Sequence, residues 1–462
     1  MMRETAWKSY DEATMKEVFS LADAYKQFIS QCKTERECVK EAVRMAEAAG
    51  YVDLEEVIKS GKILKANDKV YANNMGKTLA LFHIGQEPLE NGMNILGAHV
   101  DSPRLDLKQV PLYEDGELAQ LDTHYYGGIK YYQWVTLPLA IHGVVVKKDG
   151  SVIDVCIGED DNDPVVGISD LLIHLSADQM TKKASRVIEG EDLNVMAGSI
   201  PLKGEEKEAV KANVLRILKD RYDMDEDDFL SAELEVVPAG KARDYGLDRS
   251  MVMGYGHDDR ICAYTSLYAL LKQNEVQRTA VCLLVDKEEV GSIGATGMQS
   301  KFFENSVAEV LDRMNDYSEL KVRRALKNSK MLSSDVSAAF DPNYASVMEK
   351  NNAAYFGKGI VFNKYTGSRG KSGCNDANAE YLGELRAIME QEKVFFQTAE
   401  LGKVDQGGGG TIAYILAQYD MDVIDSGIAL HNMHAPWEVA SKADIYEATK
   451  AYQAFLKHAG TK

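Results

Sequence analysis

Residues 93–103 read MNILGAHVDSP, an apolar run that ends in a histidine and an aspartate. The run predicts a buried strand over 93–100, and a similar run predicts another over 78–84. After about residue 250, strand-like runs such as TAVCLLVD (279–286) and KMLSSD (330–335) alternate with helical stretches. Strands that alternate with helices of about 10–15 residues indicate an α/β sheet with parallel strands.

The stretch between about residues 104 and 250 has a different character. Short apolar runs flank KKDG at 147–150, where the Asp149-Gly150 pair predicts a hairpin. This pattern predicts a β-rich domain inserted into an α/β domain that is built from both ends of the chain. We therefore place a discontinuous domain at 1–103 and 251–462, and the inserted domain at 104–250.

Two further segments carry secondary-structure predictions. Residues 12–49 predict two amphipathic helices, the second ending near Gly50, since glycine commonly ends helices. Near the other end, DVIDSGIALHNMH (422–434) predicts one strand, and a final helix is expected from Lys442 onward.

Composition excludes several classes of protein. The 462 residues include 53 basic and 72 acidic side chains, which gives a net charge of −19. Because such a chain repels phosphates, the composition argues against sequence-independent nucleic-acid binding. The first twenty residues contain no apolar segment, and no run of about 18 apolar residues occurs. We expect neither a signal peptide nor a membrane span. Six cysteines without a CxxC pair are typical of reduced thiols, which favours a cytoplasmic protein.

Acids and histidines stand at the predicted strand ends, where ligands of open α/β sheets bind. They are His99, Asp101, Asp258, Glu288, Glu289, Asp335 and His434. Imidazole and carboxylate without thiolate suit zinc, manganese or cobalt in an open catalytic site. If five of these residues bind metal, they exceed what one zinc needs beside a water, and they suit two metals that share a carboxylate and a water. Asp101 lies on the same side of an extended strand as His99. Its carboxylate can therefore accept a hydrogen bond from the second imidazole nitrogen of His99.

Other polar patterns have simpler interpretations. His431 in HNMH lacks the HExxH pattern, and His257 stands beside Asp258; we interpret both histidines as structural. The loop DQGGGGT (405–411) resembles a phosphate cradle, but no Lys-Ser or Lys-Thr follows it. We interpret it as a flexible loop at the substrate site.

Several longer blocks resemble one known family. The chain resembles the M18 metalloaminopeptidases, the aspartyl aminopeptidase group, in GAHVDSPRLDLK, GHDDR, VDKEEVGSIGATG, SSDVSAAFDPNYAS and MHAPWEVASK, which span positions 97–442 in the family's order. The resemblance implies a mixed-sheet metallopeptidase domain with helices on both faces and a dimerisation or oligomerisation role for residues 104–250. It also implies tetrahedral dodecamers with active sites facing an enclosed space.

The resemblance assigns the metal ligands residue by residue. It implies that His99, Asp258 and Asp335 hold one divalent metal. Asp258, Glu289 and His434 would hold the other, so that Asp258 bridges the two. Asp259 is the alternative within GHDDR, because many family members carry Asp-Asn there.

The resemblance also assigns roles in catalysis. Glu288 matches the general base, and Asp101 matches the acid that supports a ligand. His174 matches a histidine that reaches the substrate from a neighbouring subunit; the alternative is a histidine packed in its own domain's core. The implied function is hydrolysis of the N-terminal residue from peptides with a free N-terminus.

Two basic residues are candidates for selecting the substrate. Arg369 and Lys371, in TGSRGKSGCND, are candidates to pair with an acidic N-terminal side chain, and two solvated loop charges are the alternative. Zinc is the first expectation for the metal, and manganese or cobalt would accept the same ligands. Another two-metal amide hydrolase, such as a deacylase or amidase, and a non-catalytic assembly protein are the competing functions.

Overall fold

The computed structural model describes residues 4–460. The outermost positions of the predicted discontinuous domain, 1–3 and 461–462, lie outside the described residues. In chain order the strands are β1 (Val52–Asp53), β2 (Lys69–Asn74), β3 (Thr78–His83), β4 (Met93–His99), β5 (Arg104–Asp115), β6 (Leu118–Tyr126), β7 (Leu139–Val146), β8 (Val152–Ile157), β9 (Val195–Gly198), β10 (Ala232–Pro238), β11 (Arg243–Tyr245), β12 (Met251–Gly254), β13 (Thr279–Val285), β14 (Lys330–Ser333), β15 (Ser337–Ala338), β16 (Ile360–Asn363), β17 (Phe396–Thr398), β18 (Asp422–Gly427), β19 (Ala429–His431) and β20 (Glu438–Ser441).

The α-helices are α1 (Glu12–Gln31), α2 (Glu35–Ala48), α3 (Leu54–Ser60), α4 (Ala209–Tyr222), α5 (His257–Leu271), α6 (Phe302–Arg313), α7 (Glu319–Lys327), α8 (Ala379–Gln391), α9 (Ala413–Ala417) and α10 (Lys442–His458). The two helices predicted at 12–49 are α1 and α2, and Gly50 follows α2 with a φ of +87°. Among residues 4–460, no helix has the length and apolar character needed to cross a bilayer.

The described chain forms two compact units. The first unit comprises residues 4–101, 242–433 and 438–460, and the second comprises Ser102–Lys241 with His434–Trp437. The domain boundaries drawn from the sequence, 103/104 and 250/251, stay a prediction.

The first unit is built on a nine-stranded mixed sheet in the order β1-β2-β3-β13-β4-β14-β18-β16-β17. Its centre is parallel, because β4 pairs in parallel with both β13 and β14, and β14 pairs in parallel with β18. Antiparallel pairs add β3 beside β13 and β16 beside β18. The α/β class predicted from the sequence is confirmed, with antiparallel strands added outside the parallel centre.

Helices cover both faces of this sheet. Side chains from α1, α2, α5, α8 and α10 pack with one face, which includes Leu96 and Leu284. Side chains from α3, α6, α7 and α9 pack with the other face, which includes Ile95 and Leu283. Successive strand residues point to opposite faces, and both faces are buried here, so β4 and β13 are apolar without alternation.

A second sheet of the first unit, with five strands, corrects the prediction of one strand over 422–434. The segment breaks after Gly427, so that β18 lies in the nine-stranded sheet while β19 lies in the order β11-β12-β20-β19-β15. A Cβ atom at Gly427 would lie 1.9 Å from the Asp335 carbonyl oxygen. The chain therefore approaches the Asp335 backbone as only glycine can, and the strand ends there.

The second unit contains a six-stranded antiparallel sheet in the order β8-β7-β10-β5-β6-β9, with α4 following β9. The hairpin predicted at Asp149-Gly150 joins β7 to β8, where Val146 pairs with Val152. Gly150 adopts a φ of +86°, and the Lys147 N–H donates to the Ser151 carbonyl at 2.8 Å. The hairpin prediction is confirmed.

Candidate metal centre

His99 is the last residue of β4 and is buried. Its Nε2 lies 3.2 Å from Asp258 Oδ1 and 3.7 Å from Glu288 Oε2. Its Nδ1 lies 3.0 Å from the Asp101 carbonyl oxygen and 3.3 Å from Asp101 Oδ1. Both Asp101 atoms accept hydrogen bonds, so they favour a proton on Nδ1, and Nε2 is then available as a ligand atom.

Glu288 and Glu289 follow β13 on a short irregular turn. Lys287 (φ +72°) and Gly291 (φ +95°) flank the 3₁₀ turn Glu288–Val290, and both adopt left-handed backbone conformations. The Asp101 carboxylate accepts from the backbone N–H groups of Glu288 and Glu289, each at 3.1 Å. One buried aspartate thus contacts the imidazole of His99 and the backbone of both glutamates.

Asp258 and Asp259 stand at the start of α5 in non-helical backbone conformations, joined by a cis peptide bond. The Asp258 N–H donates to Glu438 Oε2 at 3.1 Å, and the Asp258 carboxylate faces His99. Asp259 instead accepts from the His99 backbone N–H at 3.3 Å through Oδ2. This geometry favours Asp258 over Asp259 as a metal ligand.

Asp335, two residues beyond β14, completes the convergence within the first unit. One atom from each of His99, Asp258 and Asp335 lies within 4.8 Å of the others, and the same holds for His99, Glu288 and Glu289. Four carboxylates and one imidazole therefore occupy a small volume.

The electrostatics of this cluster suit a cation. Burial and the nearby Glu288 carboxylate raise the pKa of Asp335 well above its usual range. Burial alone would lower the pKa of His99, but hydrogen bonds to Asp101 and Asp258 raise it well above its usual value. Crowded buried carboxylates are unfavourable unless positive charge offsets them. The oxygen and nitrogen donors fit a divalent cation such as zinc, manganese or cobalt.

His434, the fifth predicted ligand, belongs to the second unit. Its Nδ1 lies 2.8 Å from the Gly128 carbonyl oxygen, which also belongs to that unit. A carbonyl only accepts, so Nδ1 carries the proton, and Nε2 is the ring nitrogen that would bind a metal.

His174 lies in a 3₁₀ turn of the second unit, Ile173–Leu175, and is exposed. Its neighbours are exposed apolar side chains: Leu172 is 54% exposed, Ile173 68% and Leu175 69%. The structure therefore does not place His174 in the core of its own unit, which was the alternative left open by the sequence.

The two basic side chains considered for substrate recognition lie in the loop after β16. Lys371 Nζ lies 3.0 Å from Asp376 Oδ2 and 3.7 Å from the centre of the Tyr365 ring. Arg369 is exposed and lines a cavity of about 210 Å³ together with Asp405 and Gly407 of the glycine-rich loop. Lys371 therefore has an internal partner for its charge.

Sequence reasoning missed two buried carboxylates that support this region. Glu438, in β20, accepts from the Asp258 backbone. Asp425 Oδ1 accepts from Thr411 at 2.6 Å and Ser333 at 3.1 Å, and burial raises the pKa of Asp425 to about 6. The position of Asp425 in an apolar strand, VID, is a signal that could have indicated a buried acid.

Comparisons with known proteins identify the family of this chain. The family model described as aminopeptidase I zinc metalloprotease (M18) matches residues 28–456. A curated relative, M18 family aminopeptidase 1 of Clostridium acetobutylicum, is 69% identical over 98% of this chain and 98% of its own. The chain belongs to the M18 aminopeptidase family, which consists of hydrolases that act as exopeptidases.

Solved structures show the same fold. The crystal structure of an M18 aminopeptidase from Thermotoga maritima matches with a TM-score of 0.94 at 45% identity, covering 99% of this chain and 100% of that one. Aminopeptidase I from Clostridium acetobutylicum matches with a TM-score of 0.92 at 67% identity, with the same coverage.

Proposed function

We propose that the chain is a two-metal aminopeptidase of the cytoplasm that removes the N-terminal residue from peptides. His99, Asp258 and Asp335 would hold one divalent cation. Asp258, Glu289 and His434 would hold the other, with Asp258 shared between the two. Zinc is the proposed metal because the matching family model describes a zinc metalloprotease, and manganese or cobalt would accept the same donors.

The observation that carries this proposal is the convergence of ligand atoms at one sheet edge. His99 Nε2 and the carboxylates of Asp258 and Asp335 meet within 4.8 Å, beside Glu288 and Glu289. These atoms come from the ends of β4, β13 and β14 and from the start of α5. When bound, the cations supply Lewis acidity that lowers the pKa of water and polarises the scissile carbonyl.

Glu288 is the proposed general base. Its backbone N–H is held by Asp101, and its carboxylate lies 3.7 Å from His99 Nε2, beside the ligand cluster. In the reaction, Glu288 accepts a proton from the attacking water and passes it to the departing amine. On the irregular turn that carries both residues, Glu288 would act as the base while Glu289 binds metal.

His174 is proposed to act on the substrate of a second copy of the chain. It is exposed, and the apolar side chains of Leu172, Ile173 and Leu175 around it would be covered by such a copy. We further propose that residues 104–250 form the dimerisation domain and that dimers build a homododecamer, as the family resemblance implies. An imidazole N–H from the partner could then stabilise the oxyanion that forms at the carbonyl.

We also propose a preference for acidic N-terminal residues, with Arg369 as the main candidate to recognise them. Lys371 is paired with Asp376, which leaves the exposed Arg369 as the stronger candidate to bind a substrate carboxylate. Replacing Arg369 by alanine should lower kcat/KM for Glu- and Asp-aminoacyl substrates about tenfold or more relative to Leu substrates. Lys371→Ala serves as the matched control.

One experiment tests the proposed reaction. The chelator-treated protein is assayed on aminoacyl and acylamino substrates as Zn²⁺, Mn²⁺ or Co²⁺ is restored. Metal-dependent release of unblocked N-terminal residues is the expected result. Preferential hydrolysis of acylamino substrates would instead support a deacylase or amidase, and inactivity with every metal would support an assembly protein.

A further inference from the structure

At the start of α5, two buried side chains contact each other. They are Tyr25 from α1 and His257, the residue before Asp258. Tyr25 Oη lies 2.6 Å from His257 Nδ1, and the two rings stack with centroids 5.5 Å apart. On the other side of the ring, His257 Nε2 lies 3.2 Å from the Val252 carbonyl oxygen. Both side chains are fully buried, so water does not compete for these contacts.

The chemistry of the partners fixes the direction of both hydrogen bonds. The Val252 carbonyl can only accept, so His257 Nε2 carries the proton and donates it. Nδ1 then has a free lone pair, and the Tyr25 hydroxyl donates to it.

The contact between Tyr25 and His257 affects Asp258 because helical hydrogen bonds do not fix the Asp258 backbone. Asp258 has a φ of −79° and a ψ of 106°, outside the helical range, although it lies within α5. Its backbone N–H is bonded to the Glu438 side chain rather than to a helical carbonyl. The position of Asp258 therefore depends on side chains on either side of it, with His257 fixed by Tyr25 and the Asp258 N–H fixed by Glu438.

We infer that Tyr25 and His257 are positioning residues for Asp258, and that their hydrogen bond keeps the Asp258 carboxylate directed at His99. This inference rests on the proposed function, in which Asp258 is the shared metal ligand. Groups that orient a ligand commonly contribute about 10–100-fold to metal affinity or activity. Tyr25 lies 233 residues before Asp258 in the chain, so no local sequence pattern connects them.

The test compares Tyr25→Phe with Tyr51→Phe. Tyr51 is also buried, but its hydroxyl has no hydrogen-bond partner within the part of the chain that the structure describes. Each variant therefore loses one buried hydroxyl, and only one loses a contact to His257. Zn²⁺ affinity of the chelator-treated proteins is measured by competition with a chromophoric chelator, beside melting temperatures of the metal-free forms and activity as Zn²⁺ is raised.

We expect Tyr25→Phe to bind Zn²⁺ about 10–100-fold more weakly than the unmodified protein, with Tyr51→Phe unchanged. Activity of Tyr25→Phe should recover toward normal as Zn²⁺ is raised, which a general loss of structure would not allow. Equal Zn²⁺ affinity in the two variants would overturn the inference, as would lost activity with normal affinity.

A second variant tests the same contact if Tyr25→Phe folds poorly. His257→Phe keeps the ring stacked on Tyr25 but has no acceptor for the Tyr25 hydroxyl and no donor for the Val252 carbonyl, and it should show the same weakened Zn²⁺ binding. Normal affinity in His257→Phe would also contradict the inference. Failure of the proposed function looks different, because the unmodified protein itself would then show no dependence on metal.

Discussion

The carboxylate of Asp101 accepts a hydrogen bond from the backbone N–H of Glu288 at 3.1 Å, across 187 positions of the chain. The same carboxylate accepts from Glu289 and contacts His99 Nδ1. Asp101 therefore couples the end of β4 to the turn after β13. Its role is wider than the orientation of one imidazole, because it also holds the backbone of the proposed base and of a proposed ligand.

Replacing Asp101 by asparagine should disturb both strand ends at once. The amide presents one acceptor and one donor where two N–H groups need acceptors, so one contact becomes repulsive. We expect kcat/KM to fall about 10–100-fold with weaker metal binding, measured by steady-state kinetics and metal analysis. Asp420→Asn, an exposed aspartate with a φ of +64°, is the control and should behave normally. Unchanged activity in Asp101→Asn would contradict this role.

Glu288 and Glu289 should respond differently to the same chemical change. Glu288→Gln should keep its metals while kcat falls about 10²–10⁴-fold, the usual contribution of a positioned acid–base group. Glu289→Gln should lose metal, because an amide is a weaker ligand than a carboxylate. Metal content by elemental analysis separates the two. Metal loss in Glu288→Gln with retention in Glu289→Gln would reverse the assignment.

Subunit mixing tests the proposed action of His174 in a second copy. Inactive His174→Ala chains are mixed with inactive Glu288→Gln chains under conditions that allow subunit exchange. A histidine acting across chains gives some mixed pairs with one intact site, so activity should reappear. Each variant incubated alone is the control. No recovery after verified exchange, or full activity in isolated monomers, would rule the proposal out.

A buried histidine away from the metal centre should make stability depend on pH. His83, in β3, has no hydrogen-bond partner for either ring nitrogen among residues 4–460, and burial lowers its pKa to about 4. An unfolded histidine has a pKa of about 6.5, so only the unfolded chain takes up a proton as pH falls between these values. Its stabilising contribution is therefore present above about pH 6.5 and lost toward about pH 4.

His83→Phe removes this proton uptake. The melting temperature of the metal-free variant, minus that of the unmodified protein, should rise as pH is lowered from about 7 to about 5. His124→Gln, a change at an exposed histidine, should follow the unmodified protein. A melting-temperature difference for His83→Phe that stays constant with pH would contradict the expected linkage.

The sequence predicted those features that depend on local pattern. The apolar run at 93–100 identified β4, because a strand buried on both faces needs apolar side chains throughout. The Asp149-Gly150 pair identified the hairpin, because that turn needs a residue with positive φ. The α/β class followed from the alternation of such elements.

The features that the sequence did not predict depend on distant parts of the chain. The strand predicted over 422–434 breaks after Gly427, where the Asp335 backbone lies so close that a Cβ atom would not fit. The contacts of Asp101 with Glu288 and of Tyr25 with His257 join positions 187 and 232 residues apart. Periodicity reports the burial of a side chain but not its partner. The candidate ligands were therefore predictable as residues, while the groups that hold them were not.

The number of metal ions bound per chain shows whether the site holds two metals. Chelator-treated protein is titrated with Zn²⁺ while bound metal and aminopeptidase activity are followed together. We expect two tightly bound equivalents per chain, with full activity only after the second, and loss of one equivalent in His434→Ala. Full activity at one equivalent per chain, or two retained equivalents with normal turnover in His434→Ala, would contradict it.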